Sequence, residues 1–283
     1  MNDTVDLYGY FGADRAGAQG GSLLCRVPMA LTLPNWRRRR PAVLILPGGG
    51  YHHTSDREAE PVALRFAAAG YAAFVLHYSC APSRFPTALR EAAMAMRYIR
   101  ENADALGIDP GMVGALGFSA GGHLCGCLGT MYDTDAVSDL GGLELLRPDG
   151  LCLCYPVTVS WGRTHQGSFE NLCGPDEALR QRLSMEKLVR PDMPPVFLWH
   201  TRSDGSVPCV GSLILARALE EAGVDFAMHI YRRGVHGLAT GSIVSNGPDA
   251  LEEVSRDVSQ WLDACMVFWG EIGFKITDER VLV

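Results

Sequence analysis

The sequence lacks an excess of positive charge and any long apolar run. Its 283 residues carry 25 Lys and Arg against 32 Asp and Glu, a formal net charge of −7. Sequence-independent nucleic-acid binding needs a basic face, so this balance argues against that function. No apolar stretch approaches the roughly 20 residues that span a bilayer, so we expect no membrane contact. The four arginines at 37–40 are a local exception, and because they precede an apolar run we predict a solvated loop there.

Export signals and metal-binding cysteine patterns are missing as well. The first six residues are acidic and lack the basic and apolar regions that export requires. The nine cysteines are odd in number, and pairs such as Cys125 and Cys127 have one intervening residue, too few for a zinc knuckle. We therefore predict free thiols in a cytoplasmic protein, with no metal.

Apolar runs of strand length alternate with longer helical stretches, and there is no internal repeat. This alternation is typical of an α/β fold, with a mostly parallel central sheet of about eight strands flanked by helices. Strands are predicted over 42–46, 71–78, 113–118, 150–159, 196–200 and 226–231, and two antiparallel edge strands in the stretch to Pro34. Helices are predicted over 58–69, 86–102, from 120 onward, over 207–222 and over 251–266.

Residues 160–195 interrupt the alternation with scattered aromatic residues, a short helical stretch and a proline-rich end. An insertion between two sheet strands at this point would lie over the carboxyl ends of the strands, where ligands bind in open parallel sheets. We predict a single domain over residues 1–283, with this segment as a small cap.

The pattern Gly-Phe-Ser-Ala-Gly at 117–121 is the sharpest chemical signal. A β-rich run precedes it and a helix of small residues follows, which predicts a strained turn with Ser119 raised above the sheet edge as a nucleophile. The alternative is a serine that only caps a helix, with the glycines serving close packing.

The run Pro-Gly-Gly-Gly-Tyr at 47–51 predicts an oxyanion hole. Acyl transfer builds negative charge on the carbonyl oxygen, and preorganised backbone N–H groups stabilise it. We expect these donors from Gly49 or Gly50 and from Ala120, the residue after the nucleophile. A P-loop is excluded because no Gly-Lys-Ser/Thr follows, and a Rossmann fingerprint because the third glycine is missing.

His236 is the predicted general base. It lies in a turn-like Gly-Val-His-Gly segment just past the last predicted strand, whereas His229 lies within that strand. The other six histidines precede the expected acid. An ordinary loop histidine remains the alternative.

Asp204 is the predicted acid that orients this base, because it follows a strand ending near His200 and an aspartate there can accept the Nδ1 proton. Asp192 and Asp225 are rivals, but the first lies in the proline-rich segment and the second enters a strand. The order Ser119, Asp204, His236 is that of α/β-hydrolases.

Two further groups suggest binding. His52 and His53 with nearby carboxylates resemble a metal cluster, but adjacent histidines rarely converge on one ion. Tyr51 and Trp161, with Phe169, are candidates for lining a substrate pocket, and packing of the cap is the alternative.

Together these motifs resemble bacterial α/β-hydrolase esterases related to acetylxylan esterases and bifunctional feruloyl/acetyl esterases, the BD-FAE-like group. The similarity runs in order from Val43 to His236. The residues that carry it are Pro47-Gly-Gly-Gly-Tyr51, Ser55-Asp-Arg-Glu-Ala-Glu-Pro61, Gly117-Phe-Ser-Ala-Gly-Gly-His123, His200-Thr-Arg-Ser-Asp204, Val207-Pro208 and His236-Gly237. Pro47 stands where hormone-sensitive-lipase-like relatives have a histidine, which argues against that branch.

The resemblance implies hydrolysis of small acyl esters, often acetyl groups on plant-polysaccharide sugars, without metal or organic cofactor. In the cytoplasm, the substrates would be imported oligosaccharides, and a homo-oligomer is compatible with the sequence. A peptidase of the prolyl-oligopeptidase type is one alternative, although such enzymes carry a large extra domain for which this chain has no room. A non-catalytic binding protein on a hydrolase scaffold is another, although such proteins commonly lose a triad member.

Overall fold

A computed structural model describes residues 3–28, 36–252 and 254–280, and it follows the predicted alternation over most of this length. The strands in these ranges are β1 (Thr4–Asp6), β2 (Ser22–Arg26), β3 (Trp36–Leu46), β4 (Ala72–His77), β5 (Ile108–Phe118), β6 (Leu151–Cys154), β7 (Val196–Thr201), β8 (Phe226–Tyr231) and β9 (Thr277–Arg280). The helices are α1 (Leu7–Phe11), α2 (Glu60–Ala68), α3 (Thr87–Glu101), α4 (Ala103–Leu106), α5 (Ala120–Met131), α6 (Leu143–Leu146), α7 (Gln166–Cys173), α8 (Glu177–Arg182), α9 (Met185–Leu188), α10 (Val210–Ala222), α11 (Pro248–Leu251) and α12 (Trp261–Glu271). Short 3₁₀ turns occupy Asp56–Glu58, Ser138–Leu140 and Val258–Gln260.

The described strands form one sheet in the order β1-β2-β4-β3-β5-β6-β7-β8, with β9 paired to β3. All pairings from β4 to β8 along this order are parallel, while β1, β2 and β9 pair antiparallel. The predicted α/β-hydrolase fold with a mostly parallel sheet is therefore confirmed. The carboxyl ends of β3, β5, β6, β7 and β8 share one edge, and the loops that follow them can meet there.

Burial on both faces explains why the central strands are continuous apolar runs. In β3, Leu44 and Leu46 pack into the core on one face of the sheet, while Val43 and Ile45 pack into the core on the other. Successive side chains in a strand point to opposite faces, so a parallel strand covered by helices on both sides needs apolar residues at every position.

The basic stretch at 37–40 lies in β3 and is not the solvated loop that we predicted. The first half of β3 pairs with β9, and Arg38 donates to the Asp278 carboxylate across this pairing at 2.8 and 3.0 Å. Arg40 is buried at the point where the strand enters the core. Asp278 of β9 pairs with Arg38 and Asp104 of α4 pairs with Arg39, so this part of the chain is a strand and the prediction was wrong.

Several boundaries also differ from the prediction. The strand predicted over 150–159 ends at Cys154, because Tyr155 adopts a left-handed backbone conformation with φ 36°. The helix predicted over 251–266 begins only at Trp261, whose buried indole donates to the Ala239 carbonyl at 2.8 Å. At the N-terminal end, β1 and β2 form the predicted antiparallel edge, while residues 29–34 of that prediction lie outside the described residues.

The segment between β6 and β7 contains α7, α8 and α9. It contacts the glycine loop after β3, since the Asn171 amide donates to the Gly50 carbonyl at 2.9 Å. The Phe85 N–H also donates to the Leu172 carbonyl at 2.9 Å. Helix α7 is thereby fixed beside the carboxyl ends of the strands.

Two general features complete the fold. All nine cysteines are free thiols, and only Cys80 is partly exposed while the other eight are buried. In the described ranges, no helix combines the length and the apolar character needed to cross a bilayer.

Candidate active site

Ser119 lies in a strained turn between β5 and α5. Its backbone has φ 54° and ψ −119°, a conformation that non-glycine residues rarely adopt. A Cβ on Gly117 would lie 2.1 Å from the Gly121 carbonyl oxygen, and one on Gly121 would lie 2.1 Å from the Leu46 carbonyl oxygen. Only glycines at these flanking positions allow the strand and helix to pack this closely, so the sequence dictates the turn.

The structure brings Ser119, His236 and Asp204 together in one hydrogen-bonded chain. The Ser119 Oγ lies 2.8 Å from His236 Nε2, and His236 Nδ1 lies 2.6 Å from Asp204 Oδ2. The three residues follow β5, β8 and β7 at the common carboxyl edge of the sheet. With the proton on Nδ1, the imidazole donates to the carboxylate and leaves Nε2 free to accept the serine proton.

Asp204 is held as a carboxylate by a dense set of donors. Its Oδ1 accepts the backbone N–H groups of Ser206 and Val207, both at 2.9 Å. Its Oδ2 also lies 3.3 Å from the Nε2 of the buried His200. Burial works against ionisation, but the hydrogen bonds from His200 and His236 outweigh it and hold the pKa of Asp204 below its ordinary value. The carboxylate is therefore a fixed negative charge behind the His236 imidazole.

The glycine loop after β3 is held through its carbonyl groups. Tyr78 donates to the Pro47 carbonyl at 2.6 Å, the Ser55 N–H to that of Gly48 at 2.9 Å, and the N–H groups of residues 52 and 53 to that of Gly49. The Gly50 carbonyl accepts from the segment after β6, as described above.

Unlike the carbonyl groups, not all N–H groups of this loop have a hydrogen-bond partner in the described residues. Gly48 N–H donates to the Glu58 carboxylate at 2.8 Å. The N–H groups of Gly49, Gly50 and Ala120 have no protein acceptor within the described part of the chain. The structure thus leaves open the donors that were predicted to hold an oxyanion.

Glu58 and Tyr155 form a buried support beneath the site that the sequence analysis missed. Tyr155 donates to Glu58 Oε1 at 2.7 Å and accepts from the Ala239 N–H at 2.8 Å, while its ring packs edge-on against the His236 imidazole. Since the other Glu58 oxygen accepts Gly48 N–H, one carboxylate connects the glycine loop to the residue that packs on the base. Glu58 lies in the motif at 55–61, but Tyr155 is 97 residues away, so the sequence does not show that the two meet.

Ser119 and His236 line a polar cavity of about 350 Å³, whereas the buried Asp204 lies behind His236 and is not part of its lining. None of its described lining residues has an aliphatic side chain. The lining consists of Gly49, Gly50, His52, His53, Ser55, Arg57, Glu58, Ser119, His165, Asn171, Ser206, His236 and Gly237. Burial, together with the nearby His236, lowers the pKa of His165, whose Nδ1 lies 2.8 Å from the Ser168 hydroxyl. A neutral His165 ring therefore borders the cavity.

The structure does not bring the two predicted substrate-binding aromatics to this cavity. The Tyr51 side chain is buried, and its hydroxyl lies 2.9 Å from Nδ1 of the buried His123. Trp161 is 45% exposed and its indole donates to Glu186 at 2.8 Å, away from the cavity lining. Neither side chain is part of the described cavity lining, and each polar tip has a partner elsewhere. Phe169 is buried against His123.

Among the described residues, no three His, Cys, Asp or Glu side chains converge to hold a metal ion. The adjacent rings of His52 and His53 lie 5.8 Å apart at 82° to one another. Both line the cavity.

Comparisons with known proteins show which families this chain resembles. The family model BD-FAE matches residues 29–143. Endo-1,4-beta-xylanase B of Butyrivibrio fibrisolvens is 35% identical over 77% of this chain and 36% of its own length. Acetylxylan esterase of Xylanibacter ruminicola is 29% identical over 78% of this chain and 45% of its own length. The chain thus spans less than half the length of these two relatives.

A solved structure matches the full fold. The acetyl ester-xyloside bifunctional hydrolase from Caldicellulosiruptor lactoaceticus has a TM-score of 0.82 and 35% sequence identity. The match covers 97% of this chain and 97% of that one. The carboxylesterase Cest-2923 from Lactobacillus plantarum has a TM-score of 0.79 and 26% identity, over 89% of this chain and 93% of that one.

Proposed function

The chain belongs to an α/β-hydrolase esterase family, a family of carboxylic ester hydrolases, and on that premise we propose that it is a serine esterase for small acyl esters. In this proposal Ser119 is the nucleophile, His236 the general base and Asp204 the acid that orients it. The observation that carries the proposal is the hydrogen-bonded chain through these residues, with distances of 2.8 and 2.6 Å, beside N–H groups that lack a protein acceptor.

The proposed reaction has two acyl-transfer steps. Ser119 Oγ attacks the ester carbonyl carbon as its proton passes to His236 Nε2, and N–H groups of Gly49 or Gly50 and of Ala120 hold the oxyanion. The carbon–oxygen bond of the ester then breaks, and His236 gives its proton to the departing alcohol. Water attacks the acyl-serine, loses a proton to His236, and releases the acid as Ser119 regains its proton.

The polar cavity supports a hydrophilic substrate. Long acyl chains need an apolar lining to leave water, whereas the described lining offers hydroxyl, amide, imidazole and backbone groups. Two relatives have names that refer to xylan or acetyl ester-xyloside substrates. We therefore propose O-acetyl groups on sugars or oligosaccharides as the substrate class.

We further propose that the segment of residues 160–195 acts as a small cap on a single hydrolase domain. Its support is the position of His165 and Asn171 in the cavity lining. Burial of most thiols, all free, supports the proposed cytoplasmic location.

The test is a p-nitrophenyl ester series from acetate to octanoate, with acetylated xylo-oligosaccharide alongside. We expect hydrolysis to be confined to the shortest acyl chains and the acetylated sugar. A preference for longer chains would leave the serine mechanism intact but contradict the sugar assignment.

The mechanism has its own test in Ser119→Ala. This variant should lose turnover and labelling by a fluorophosphonate probe, while its circular dichroism spectrum stays that of the unaltered protein. Esterase activity retained in a folded Ser119→Ala protein would exclude Ser119 as the nucleophile.

A further inference from the structure

The arginines of this protein differ in whether their side chains have a partner. Away from the catalytic edge many are paired with carboxylates, as in Arg26 with Glu60 and Arg90 with Asp139, whereas others, such as Arg182, are exposed without such a partner in the described ranges. Around the catalytic edge, Arg57, Arg163, Arg202 and Arg233 are exposed, and in the described ranges their side chains have no hydrogen bond or ion pair. We call these four residues the cationic rim.

Arg57 is the member of the rim that reaches the reacting groups. It lines the same cavity as Ser119 and His236. Its Nη2 lies 3.0 Å from the position that a Cβ on Gly237 would occupy, so the guanidinium borders the residue that follows the base. Its backbone is anchored, since the next residue, Glu58, is buried and hydrogen-bonded through both oxygens.

The other three members extend the positive charge outward. Arg163 and Arg202 line a depression that borders Asp204 from outside, and Arg233 lines another beside Gly234. The acidic side chains nearest His236 are buried and already have hydrogen-bond donors. Asp204 has four donors and Glu58 has two. Asp56, exposed on the same turn as Arg57, is not part of the cavity lining.

These four arginines place positive charge beside the catalytic edge in a chain with a formal charge of −7. A mouth lined by one sign of charge raises the local concentration of the oppositely charged substrate. An unpaired guanidinium also offers a planar set of N–H donors that matches a carboxylate in two parallel hydrogen bonds.

We propose that the site takes esters whose alcohol half carries a carboxylate, such as an acylated sugar next to a uronic acid, and that Arg57 binds this carboxylate. The inference rests on the proposed esterase function. A small acyl group leaves most of the cavity to the alcohol half, which would meet Arg57 in the cavity lining, while the other three arginines of the cationic rim lie in neighbouring depressions.

The experiment compares 4-acetoxybenzoate with its neutral counterpart 4-acetoxybenzamide. For each enzyme the ratio of the two kcat/KM values is measured, so that differences in leaving-group reactivity cancel between enzymes. Arg57→Gln should lower this ratio by about fivefold, the effect of a partly exposed ion pair. Arg57→Lys keeps the charge and should retain most of the ratio, and added NaCl should lower the ratio of the unaltered enzyme.

Arg217→Gln is the matched control, because Arg217 is exposed on α10 and paired with Glu221. It should leave the ratio unchanged. A ratio that stays the same in Arg57→Gln, or equal losses on both substrates, would overturn the role of Arg57. Absence of hydrolysis of the neutral ester by the unaltered protein would instead overturn the proposed function, so the two failures are distinguishable.

Discussion

His236 lies between two regions, one in which the polar groups are fully hydrogen-bonded and one in which backbone N–H groups lack an acceptor in the described residues. On the acid side, the Asp204 side chain is fully buried and accepts two backbone N–H groups besides its contacts with the imidazoles of His236 and His200. On the nucleophile side, the N–H groups of Gly49 and Ala120 have no acceptor within the described residues.

The difference follows the lifetime of the charge that each region would hold. A carboxylate that is always charged is stabilised by donors that never leave it. An oxyanion exists only during the reaction, so its donors must be in place beforehand and free of other partners. On the acid side, the hydrogen bonds that Asp204 accepts hold the region rigid. On the nucleophile side, the hydrogen bonds to the carbonyl groups of the glycine loop do so and leave its N–H groups free.

Breaking the acid side should have the largest effect. Asp204→Asn replaces a carboxylate by an amide that no longer favours the required His236 tautomer or stabilises its cation. We expect kcat for p-nitrophenyl acetate to fall by about 10⁴-fold. Asp225→Asn, at an exposed position entering β8, is the matched control and should keep its rate. Loss of rate in Asp225→Asn with retention in Asp204→Asn would reverse the assignment of the acid.

Distorting the nucleophile side should cost less. A Cβ on Gly49 would lie 2.2 Å from the His53 carbonyl oxygen, so Gly49→Ala must move the loop and its N–H groups. We expect a loss of about 10²-fold in kcat, the effect of removing one oxyanion donor.

Gly50→Ala is the comparison, because the nearest atom to its Cβ is 3.5 Å away and only the left-handed φ of 67° is strained. Its main cost should be in the free energy of unfolding, about 1–2 kcal/mol, measured by urea denaturation. Equal losses of kcat in the two variants would show that the open N–H groups do not decide the rate.

Glu58 connects the two regions, and a substitution that removes one of its hydrogen bonds should lower kcat moderately. Glu58→Gln can accept through only one of its two terminal atoms, so Gly48 N–H or the Tyr155 hydroxyl loses its acceptor. We expect kcat to fall by about tenfold, with a smaller change in KM.

Glu60→Gln, which removes an exposed partner of Arg26, serves as the control and should keep both constants. If Glu58→Gln lowers only the melting temperature, Glu58 supports the fold and does not position the loop.

The smallest effect is expected at Trp161, outside both regions. Its exposed indole donates to Glu186, so Trp161→Ala should change kcat/KM on acetylated xylo-oligosaccharide by less than about twofold. A much larger loss would restore the substrate contact that the sequence suggested.

The triad candidates could be predicted from sequence because each lies in a short motif at the end of a strand. Gly117 and Gly121 around Ser119 fix a strained turn locally, and chain order then narrows the choice of Asp204 and His236. The central strands were predictable for a related reason, since burial on both faces leaves a continuous apolar run.

The supports of the site could not be predicted in this way. Glu58 and Tyr155 are 97 residues apart and meet only in the folded chain. His200 was visible as the end of a strand, but its contact with Asp204 depends on a turn whose shape the sequence does not reveal. Long-range contacts of single polar atoms leave no periodic pattern.

The predictions that agreed least with the structure judged a side chain by its type alone. The arginines at 37–40 suggested a loop, but they lie in a strand, where Arg38 pairs with Asp278 far along the chain and Arg39 pairs with Asp104. Tyr51 and Trp161 suggested a pocket, but each polar tip has a partner elsewhere.

The labelling rates of the nine free thiols can report how often the protein unfolds locally. Burial raises the pKa of all nine, with that of Cys80 raised to about 12, so none presents much thiolate to a reagent in the native state. Cys80 should react first, through local fluctuation, whereas Cys125, Cys152 and Cys265 in the core react only when the sheet separates from its helices. The time course of thiol labelling therefore measures how often each layer of the molecule opens.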